Sequence, residues 1–154
     1  MLSCHTKSAA ETEAFAKKLT ALLRPNDVLA FRGSMGMGKT TFVRGLAEGL
    51  GGAEVSSPTF AIVHEYKCTP KLYHFDMYRI TSIDDLYSTG FFDYLEMGAI
   101  MAIEWSELID CVLPANTTTV TITGCEEADE RDIAVEGDSR FTQKNFEQGG
   151  DCTN

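Results

Sequence analysis

The residues whose types and spacing point most directly to chemistry are the eight from Gly33 to Thr40, which read Gly-Ser-Met-Gly-Met-Gly-Lys-Thr. They match Gly-x-x-x-x-Gly-Lys-Ser/Thr, the phosphate-binding loop of nucleoside-triphosphate proteins. Glycines let successive backbone N–H groups curl inward and approach phosphates closely, which a Cβ would obstruct. Lys39 can place its charge between the β- and γ-phosphates, and the Thr40 hydroxyl can ligate the bridging Mg²⁺. The pattern predicts a nucleoside-triphosphate site.

The segments on both sides of this loop fit the same interpretation. Val28 to Phe31 is a short apolar run suited to a buried strand, and Thr41 to Leu50 has apolar residues at helical spacing. A strand, a glycine loop and a helix in this order place the partial positive charge of the helix N-terminus beside a bound anion. The context therefore strengthens the prediction of phosphate binding.

Nucleotide chemistry also needs an acidic group that orients Mg²⁺ or the attacking water, and two candidates end apolar strands. Glu104 follows Ile100–Ile103, and Asp76 follows Leu72–Phe75. The carboxyl ends of strands are where an open α/β sheet holds its ligand. Pattern alone leaves either acid open to a simpler role, facing water or capping the next helix. Thr59 has the same ambiguity, because its hydroxyl can sense a γ-phosphate or serve an ordinary Ser-Pro-Thr turn.

The other segments predict how the chain positions these groups. Ser8 to Glu11 is a capping box that opens a first helix ending near Arg24. Two β-rich runs, Thr59–Tyr66 and Lys71–Met77, are separated by only four residues and predict an antiparallel hairpin.

The remaining predicted elements follow the hairpin. A short helix from Ser82 and a second apolar turn or helix at Phe91–Leu95 precede the strand that ends at Glu104. Two further strands are predicted at Thr117–Thr123 and Ile133–Glu136. His74 alternates with core positions in its strand, which favours a structural role, and Trp105 has the character of a core or interface residue.

The length, net charge and cysteine content limit the classes of protein to which this chain can belong. A length of 154 residues predicts one domain, residues 1–138, and the polar segment 139–154 predicts a disordered tail. A formal net charge of −10 argues against direct binding to DNA or tRNA, because phosphates repel acidic surfaces. The five scattered cysteines, the lack of an apolar membrane span and the N-terminus without a signal-peptide pattern predict a cytoplasmic protein.

Four motifs together resemble one family, the TsaE (YjeE) ATPases of tRNA threonylcarbamoyladenosine synthesis. They are Gly33–Thr41, Ser57–Phe60, His74–Arg79 and Glu104–Trp105, in this order and spacing. The resemblance covers roughly Ser8 to Gly137. It implies an α/β fold of the phosphate-loop NTPase type, with three layers and a mixed, partly antiparallel central sheet.

The resemblance also implies a function. The protein would bind ATP with Mg²⁺, hydrolyse it slowly alone, and reset a complex of TsaD and TsaB that modifies the adenosine next to the anticodon. The partners, not this chain, would hold the tRNA. Thr40 and Glu104 would ligate Mg²⁺, Asp76 would be needed for hydrolysis, and Thr59 would lie in a switch-like loop. Trp105 would lie near the nucleotide or the partner surface. The residues that would hold the nucleotide are Gly33, Ser34, Met35, Gly36, Met37, Gly38, Lys39, Thr40 and Thr41.

The loop departs from the family pattern at three positions. Family members commonly carry Asp-Leu and Ala where this chain has Ser34-Met35 and Met37. Losing the loop acid removes one group that can position water, whereas the three glycines and Lys39 retain phosphate binding. Two other functions stay open, a small-molecule kinase and a non-hydrolysing nucleotide-gated binding module. The hairpin and the few late arginines, Arg131 and Arg140, disfavour the kinase, because such kinases normally add an arginine-bearing lid.

Overall fold

The computed structural model describes residues 1–33, 36–55, 63–77, 80–104 and 110–149. These residues form one eight-stranded sheet and five α-helices. The strands are β1 (Leu2–Thr6), β2 (Val28–Arg32), β3 (Ala53–Val55), β4 (Val63–Lys67), β5 (Leu72–Asp76), β6 (Ile100–Glu104), β7 (Thr118–Gly124) and β8 (Arg131–Glu136). The helices are α1 (Ala9–Leu19), α2 (Lys39–Gly49), α3 (Ile83–Ser88), α4 (Phe91–Tyr94) and α5 (Gln143–Gly149).

The sheet is mixed, as the sequence predicted. Its strand order is β1-β8-β7-β2-β6-β5-β4-β3. The four central strands β7, β2, β6 and β5 run parallel, and the pairs at both edges are antiparallel. The predicted hairpin is β4 paired with β5. Because β2, β5, β6 and β7 point the same way, their carboxyl ends lie side by side.

Helices cover both faces of the sheet and complete the three layers. Successive side chains of a strand point to opposite faces, and the residues of β2 divide accordingly. Leu29 and Phe31 join one core with α1 and α2, whereas Val28 joins a second core with α3 and α4. Both cores are rich in aromatic contacts, such as the edge-on packing of Phe31 against Phe42 at 5.4 Å between ring centroids. Across the described ranges, no helix is both long and apolar enough to span a membrane.

The predicted helix caps are present. Ser8 Oγ accepts a hydrogen bond from the Glu11 N–H at 3.2 Å. The Glu11 carboxylate accepts the N–H of Lys7 at 2.6 Å, one residue before the position that a capping box normally uses. Ser82 caps α3 in the same way, accepting the Asp85 N–H at 3.1 Å. The local polar residues therefore fix where these helices begin.

Two strands were not predicted. β1 pairs antiparallel with β8, from Leu2 opposite Val135 to Thr6 opposite Arg131. β3 pairs with β4. Each is a short edge strand with three to five residues, and such strands carry little periodic signal.

The prediction of a disordered tail from residue 139 is wrong as far as residue 149. Phe141 and Phe146 are buried, and the Phe146 ring packs against Phe15 of α1 with centroids 4.9 Å apart. Arg140 binds both carboxylate oxygens of the buried Asp27 at 2.8 and 2.9 Å. Two aromatic anchors and one ion pair therefore fold a segment whose composition is polar. Residues 150–154 lie outside the described residues.

Candidate functional site

The phosphate-loop motif lies between the end of β2 and the start of α2, at the carboxyl ends of the parallel strands. Its glycines meet two different requirements. A Cβ at Gly33 would collide with the carbonyl oxygen of Ile122 on β7, so this position has no room for a side chain. Gly38 precedes α2 at a φ of +96°, a left-handed conformation that glycine adopts without a steric penalty. Gly38 is the N-cap of α2 and has no side chain with which to cap the helix N–H groups, which suits an anion at this helix end.

The lysine of the motif is held against the loop. Lys39 is the first residue of α2 and is 6% exposed. Its ammonium donates a hydrogen bond to the Gly33 carbonyl at 2.9 Å, closing the loop onto its own first residue. Thr40, the next residue, is exposed at the start of the helix. The loop thus presents a buried cation and an exposed hydroxyl side by side, as phosphate and metal binding require.

The neighbouring strands β7 and β8 support the loop. Arg131 at the start of β8 donates from Nε to the Met37 carbonyl at 3.0 Å. The same guanidinium donates to the Ala128 and Glu130 carbonyls, so three carbonyl oxygens hold it in place. A Cβ at Gly124 would lie 2.8 Å from the Met37 sulfur, which shows how closely that side chain packs over the end of β7.

A cavity of about 130 Å³ adjoins the loop. Its walls come from the first turns of two helices, from the loop and from the turn before β8. The lining residues are Ala9, Thr12, Gly36, Met37, Gly38, Thr41, Asp129 and Arg131. Thr12 is buried and its hydroxyl shares a hydrogen bond with Thr6 at 2.8 Å. The residues around this cavity that come from outside the motif were not predicted as site residues, because no local pattern marks them.

The two predicted acids lie at neighbouring strand ends. Asp76 of β5 and Glu104 of β6 are register partners, and Glu104 is also the partner of Phe31 just before the loop. Glu104 is 7% exposed, whereas Asp76 is exposed. The structure therefore brings Glu104, Asp76 and the phosphate loop together at the carboxyl ends of the parallel strands, as the sequence predicted.

Glu104 lies close to a buried histidine without forming a hydrogen bond to it. His74 Nε2 on β5 lies 3.3 Å from Glu104 Oε1, and both side chains are buried. Within the described part of the chain, neither atom has a hydrogen-bond partner. Buried polar atoms without partners are rare in folded proteins, and a bound ion or water is one of the explanations for them. His74 is therefore next to the site, where the sequence favoured a purely structural role.

Several predicted site residues lie outside the described residues. They are Ser34 and Met35 of the loop, Thr59, and Trp105. The remaining loop residues, with Asp76 and Glu104, are described above.

The two late arginines lie in different places. Arg131 supports the loop and lines the cavity beside it, whereas Arg140 binds Asp27, which precedes β2 at the opposite end of the parallel strands. Arg140 therefore lies away from the phosphate loop.

Comparisons with known proteins agree with this architecture. The family model described as "Threonylcarbamoyl adenosine biosynthesis protein TsaE" matches residues 6–133. The chain is 40% identical to the Bacillus subtilis protein named tRNA threonylcarbamoyladenosine biosynthesis protein TsaE, over 86% of this chain and 83% of that relative. It is 34% identical to the protein of the same name from Treponema pallidum, over 79% and 90% of the two chains.

A solved structure is similar throughout. The crystal structure of YdiB from Bacillus subtilis superposes with a TM-score of 0.74 at 33% identity, covering 97% of this chain and 93% of that one. The sequence identity, the coverage and the shared fold together show that this chain belongs to the TsaE family of threonylcarbamoyl adenosine biosynthesis proteins.

Proposed function

We propose that this protein is a small Mg²⁺-dependent ATPase that supports tRNA threonylcarbamoyladenosine formation by binding and resetting a TsaD–TsaB complex. The observation that carries the proposal is that the phosphate loop with its buried Lys39 follows β2, whereas the buried Glu104 ends the adjacent strand β6 opposite Phe31 of β2. A phosphate-binding cation and a metal-binding acid at the carboxyl ends of neighbouring strands are the groups that nucleoside-triphosphate hydrolysis uses.

The residues present fit Mg²⁺. Mg²⁺ takes oxygen ligands, and Glu104 Oε1 is a buried oxygen without a hydrogen-bond partner in the described structure. Thr40 would supply the second protein oxygen from the start of α2. When bound, the ion would neutralise charge on the β- and γ-phosphates.

The loop binds and orients the triphosphate in this proposal. The N–H groups of the loop and of the α2 N-terminus would donate hydrogen bonds to the phosphates, and Lys39 would exchange its bond to the Gly33 carbonyl for phosphate oxygens. The nucleoside would extend into the cavity of about 130 Å³ beside Thr12 and Arg131. Asp76, exposed beside Glu104, would orient the attacking water, and Thr59 would respond to the γ-phosphate.

The partners follow from the family and from charge. The relatives are named for tRNA threonylcarbamoyladenosine biosynthesis, yet a formal net charge of −10 disfavours a direct grip on tRNA. TsaD and TsaB would therefore hold the tRNA, and this chain would act on them in the cytoplasm. Isolated protein is expected not to retain tRNA at physiological salt. A sub-micromolar dissociation constant for tRNA would contradict this part of the proposal.

The decisive experiment measures Mg²⁺-ATP hydrolysis by the purified protein, alone and with the TsaD–TsaB pair. Turnover is expected to be slow alone and to change when the pair is added. Lys39→Ala should abolish it, whereas Lys17→Ala, an exposed lysine of α1, should leave it intact. Turnover that the pair does not affect would contradict the coupling, and turnover that survives Lys39→Ala would contradict the assigned site.

A binding titration tests the metal ligand separately. Glu104→Ala is expected to weaken ATP affinity in the presence of Mg²⁺ and to leave affinity in EDTA nearly unchanged. An unchanged Mg²⁺ dependence would exclude Glu104 as the ligand.

A further inference from the structure

A second cluster of metal-ligating side chains lies away from the phosphate loop. His5 of β1, Cys125 just after β7 and Asp132 of β8 bring one donor atom each within 4.8 Å of one another, the single such group among the described residues. His5 Nδ1 lies 2.8 Å from Asp132 Oδ1, and the Cys125 thiol donates to Asp132 Oδ2 at 3.5 Å. The sheet creates the cluster, because His5 and Asp132 are direct cross-strand partners and Cys125 follows the strand on the other side of β8.

A fourth residue is placed as an outer partner of this cluster. The other ring nitrogen of His5, Nε2, lies 3.3 Å from Glu130 Oε2. A histidine that ligates a metal through one nitrogen usually donates its other N–H to a carboxylate, which fixes the ring and raises its basicity as a ligand. The His5 ring therefore has the two-sided environment of a metal ligand, with donor atoms on one side and a carboxylate on the other.

We propose that His5 Nδ1, Cys125 Sγ and Asp132 bind a zinc-class divalent cation, with water as the fourth ligand. A nitrogen, a thiolate and a carboxylate form a donor set that Zn²⁺ and Co²⁺ accept and that Mg²⁺ disfavours. Bond lengths of about 2.0–2.3 Å place tetrahedral ligand atoms roughly 3.3–3.8 Å apart. The 3.5 Å contact lies within that range, the 2.8 Å contact must lengthen by about half an ångström, and the largest separation in the group, which is within 4.8 Å, must shorten by up to about 1 Å. Binding forms the Zn–N, Zn–S and Zn–O bonds, releases the thiol proton to solvent and removes the proton from His5 Nδ1, so that the neutral imidazole carries its N–H at Nε2 toward Glu130.

The location leaves the cluster accessible and separate from the nucleotide site. The side chains of His5 and Asp132 are 45% and 66% exposed, and they line a groove of about 340 Å³ with Thr121 and Thr123. Arg131 and Asp132 are consecutive strand residues, so their side chains point to opposite faces of the sheet. Arg131 reaches the phosphate loop, and Asp132 faces the cluster. The proposed metal would thus bind on the face opposite the nucleotide cavity.

The competing explanation is an ordinary surface ion pair. The hydrogen bond between His5 and Asp132 raises the pKa of the imidazole and lowers the pKa of the carboxyl, as expected for such a pair without a metal. In that explanation Cys125 only donates a weak S–H hydrogen bond to Asp132 at 3.5 Å. The two explanations therefore differ in whether the Cys125 sulfur binds a metal as a thiolate or stays a protonated hydrogen-bond donor.

The experiment titrates the full-length, reduced, nucleotide-free protein with Co²⁺ after treatment with a chelator, and then displaces Co²⁺ with Zn²⁺. One equivalent of Co²⁺ should produce a thiolate-to-metal charge-transfer band that Zn²⁺ abolishes. Cys125→Ser should lose the band, and calorimetry should show Zn²⁺ affinity at least tenfold weaker. Glu130→Gln should weaken affinity by about 10–100-fold while keeping the band, because it removes only the outer carboxylate.

Two control variants separate this site from other metal binding. Cys111→Ser removes an exposed thiol outside the cluster, and Glu104→Gln removes the proposed Mg²⁺ ligand. Both should retain the band and the affinity. A band that persists in Cys125→Ser, or the absence of any band in the wild-type protein, would overturn the proposal. Loss of the band in Glu104→Gln would do the same, since it would assign the metal to the nucleotide site.

Discussion

His74 and Glu104 hold two buried polar atoms, Nε2 and Oε1, 3.3 Å apart on the neighbouring strands β5 and β6. The geometry of the pair falls short of a hydrogen bond, and neither atom has another partner within the described residues. A buried carboxylate oxygen without a hydrogen-bond partner is available to bind a cation. The imidazole beside it limits the directions in which the carboxylate can turn. We therefore expect His74 to act as a positioning residue for the proposed Mg²⁺ ligand, Glu104.

His74→Ala is expected to raise the Mg²⁺ concentration needed for half-maximal ATP binding by about tenfold, equivalent to about 1.4 kcal/mol. The reason is that Glu104 would lose the buried imidazole that lies 3.3 Å from its Oε1. His74→Gln, which keeps an N–H donor, should restore much of the Mg²⁺ dependence. Fluorescence titration with and without Mg²⁺ distinguishes this effect from general damage. Equal losses of affinity in EDTA and in Mg²⁺ would refute the positioning role.

Arg131→Gln is expected to weaken ATP affinity by roughly tenfold, the loss of about one charge-assisted hydrogen bond. Arg131 donates to the Met37 carbonyl at 3.0 Å and thereby holds the loop in its binding shape. Arg44→Gln is the matched control, because the Arg44 side chain is 57% exposed and its guanidinium lies 3.6 Å from Glu13, a long contact at the surface. Calorimetric dissociation constants for the two variants decide the point. Equal affinities in both would show that the loop does not need this support.

Arg140→Ala is expected to lower the free energy of unfolding by about 3 kcal/mol, because it leaves the carboxylate of Asp27 buried without its partner. The Arg140 and Asp27 side chains are only 13% and 7% exposed, and two hydrogen bonds join them. Arg44→Ala, again the exposed comparison, should cost less than about 1 kcal/mol. Urea unfolding measures both values. A loss in Arg140→Ala no larger than the control's would contradict the structural role of the C-terminal segment.

The contacts of Asp138 predict that the free energy of unfolding depends on pH. Its hydrogen bonds from Arg140 lower the pKa of the carboxyl from its usual value to about 2. A lowered pKa in the folded state stabilises the fold above the unfolded pKa, near 4, and this contribution is lost as the pH falls toward 2. Asp138→Asn should therefore be less stable than wild type at pH 6, and the difference should disappear by about pH 2. A difference that stays constant over this range in urea unfolding would exclude the charge effect.

The parts of the fold that the sequence predicted are those with strong local patterns. The capping residues Ser8 and Ser82, the loop from Gly33, and the apolar strands that end at Asp76 and Glu104 are all where periodicity and turn chemistry placed them. The mixed sheet followed from the four-residue separation of β4 and β5.

The parts that escaped prediction depend on contacts between distant residues. Arg131 reaches Met37 across 94 positions, and Arg140 reaches Asp27 across 113. No local periodicity indicates such pairings. The sequence therefore gave no role to Arg131 at the loop, and it predicted that the segment around Arg140 is a disordered tail. The residue types at His5, Cys125 and Asp132 likewise gave no signal, because only the pairing of β1, β7 and β8 brings them together.

The support of the phosphate loop by β7 and β8 has a consequence for how the protein is made on the ribosome. The motif from Gly33 to Thr41 is synthesised early, but the Ile122 carbonyl that packs on Gly33 and the guanidinium that holds Met37 are synthesised about ninety residues later. A growing chain that has only reached β6 contains the entire motif without the strands that shape it. The loop thus gains these supporting contacts only near the end of translation, when the last strands join the sheet.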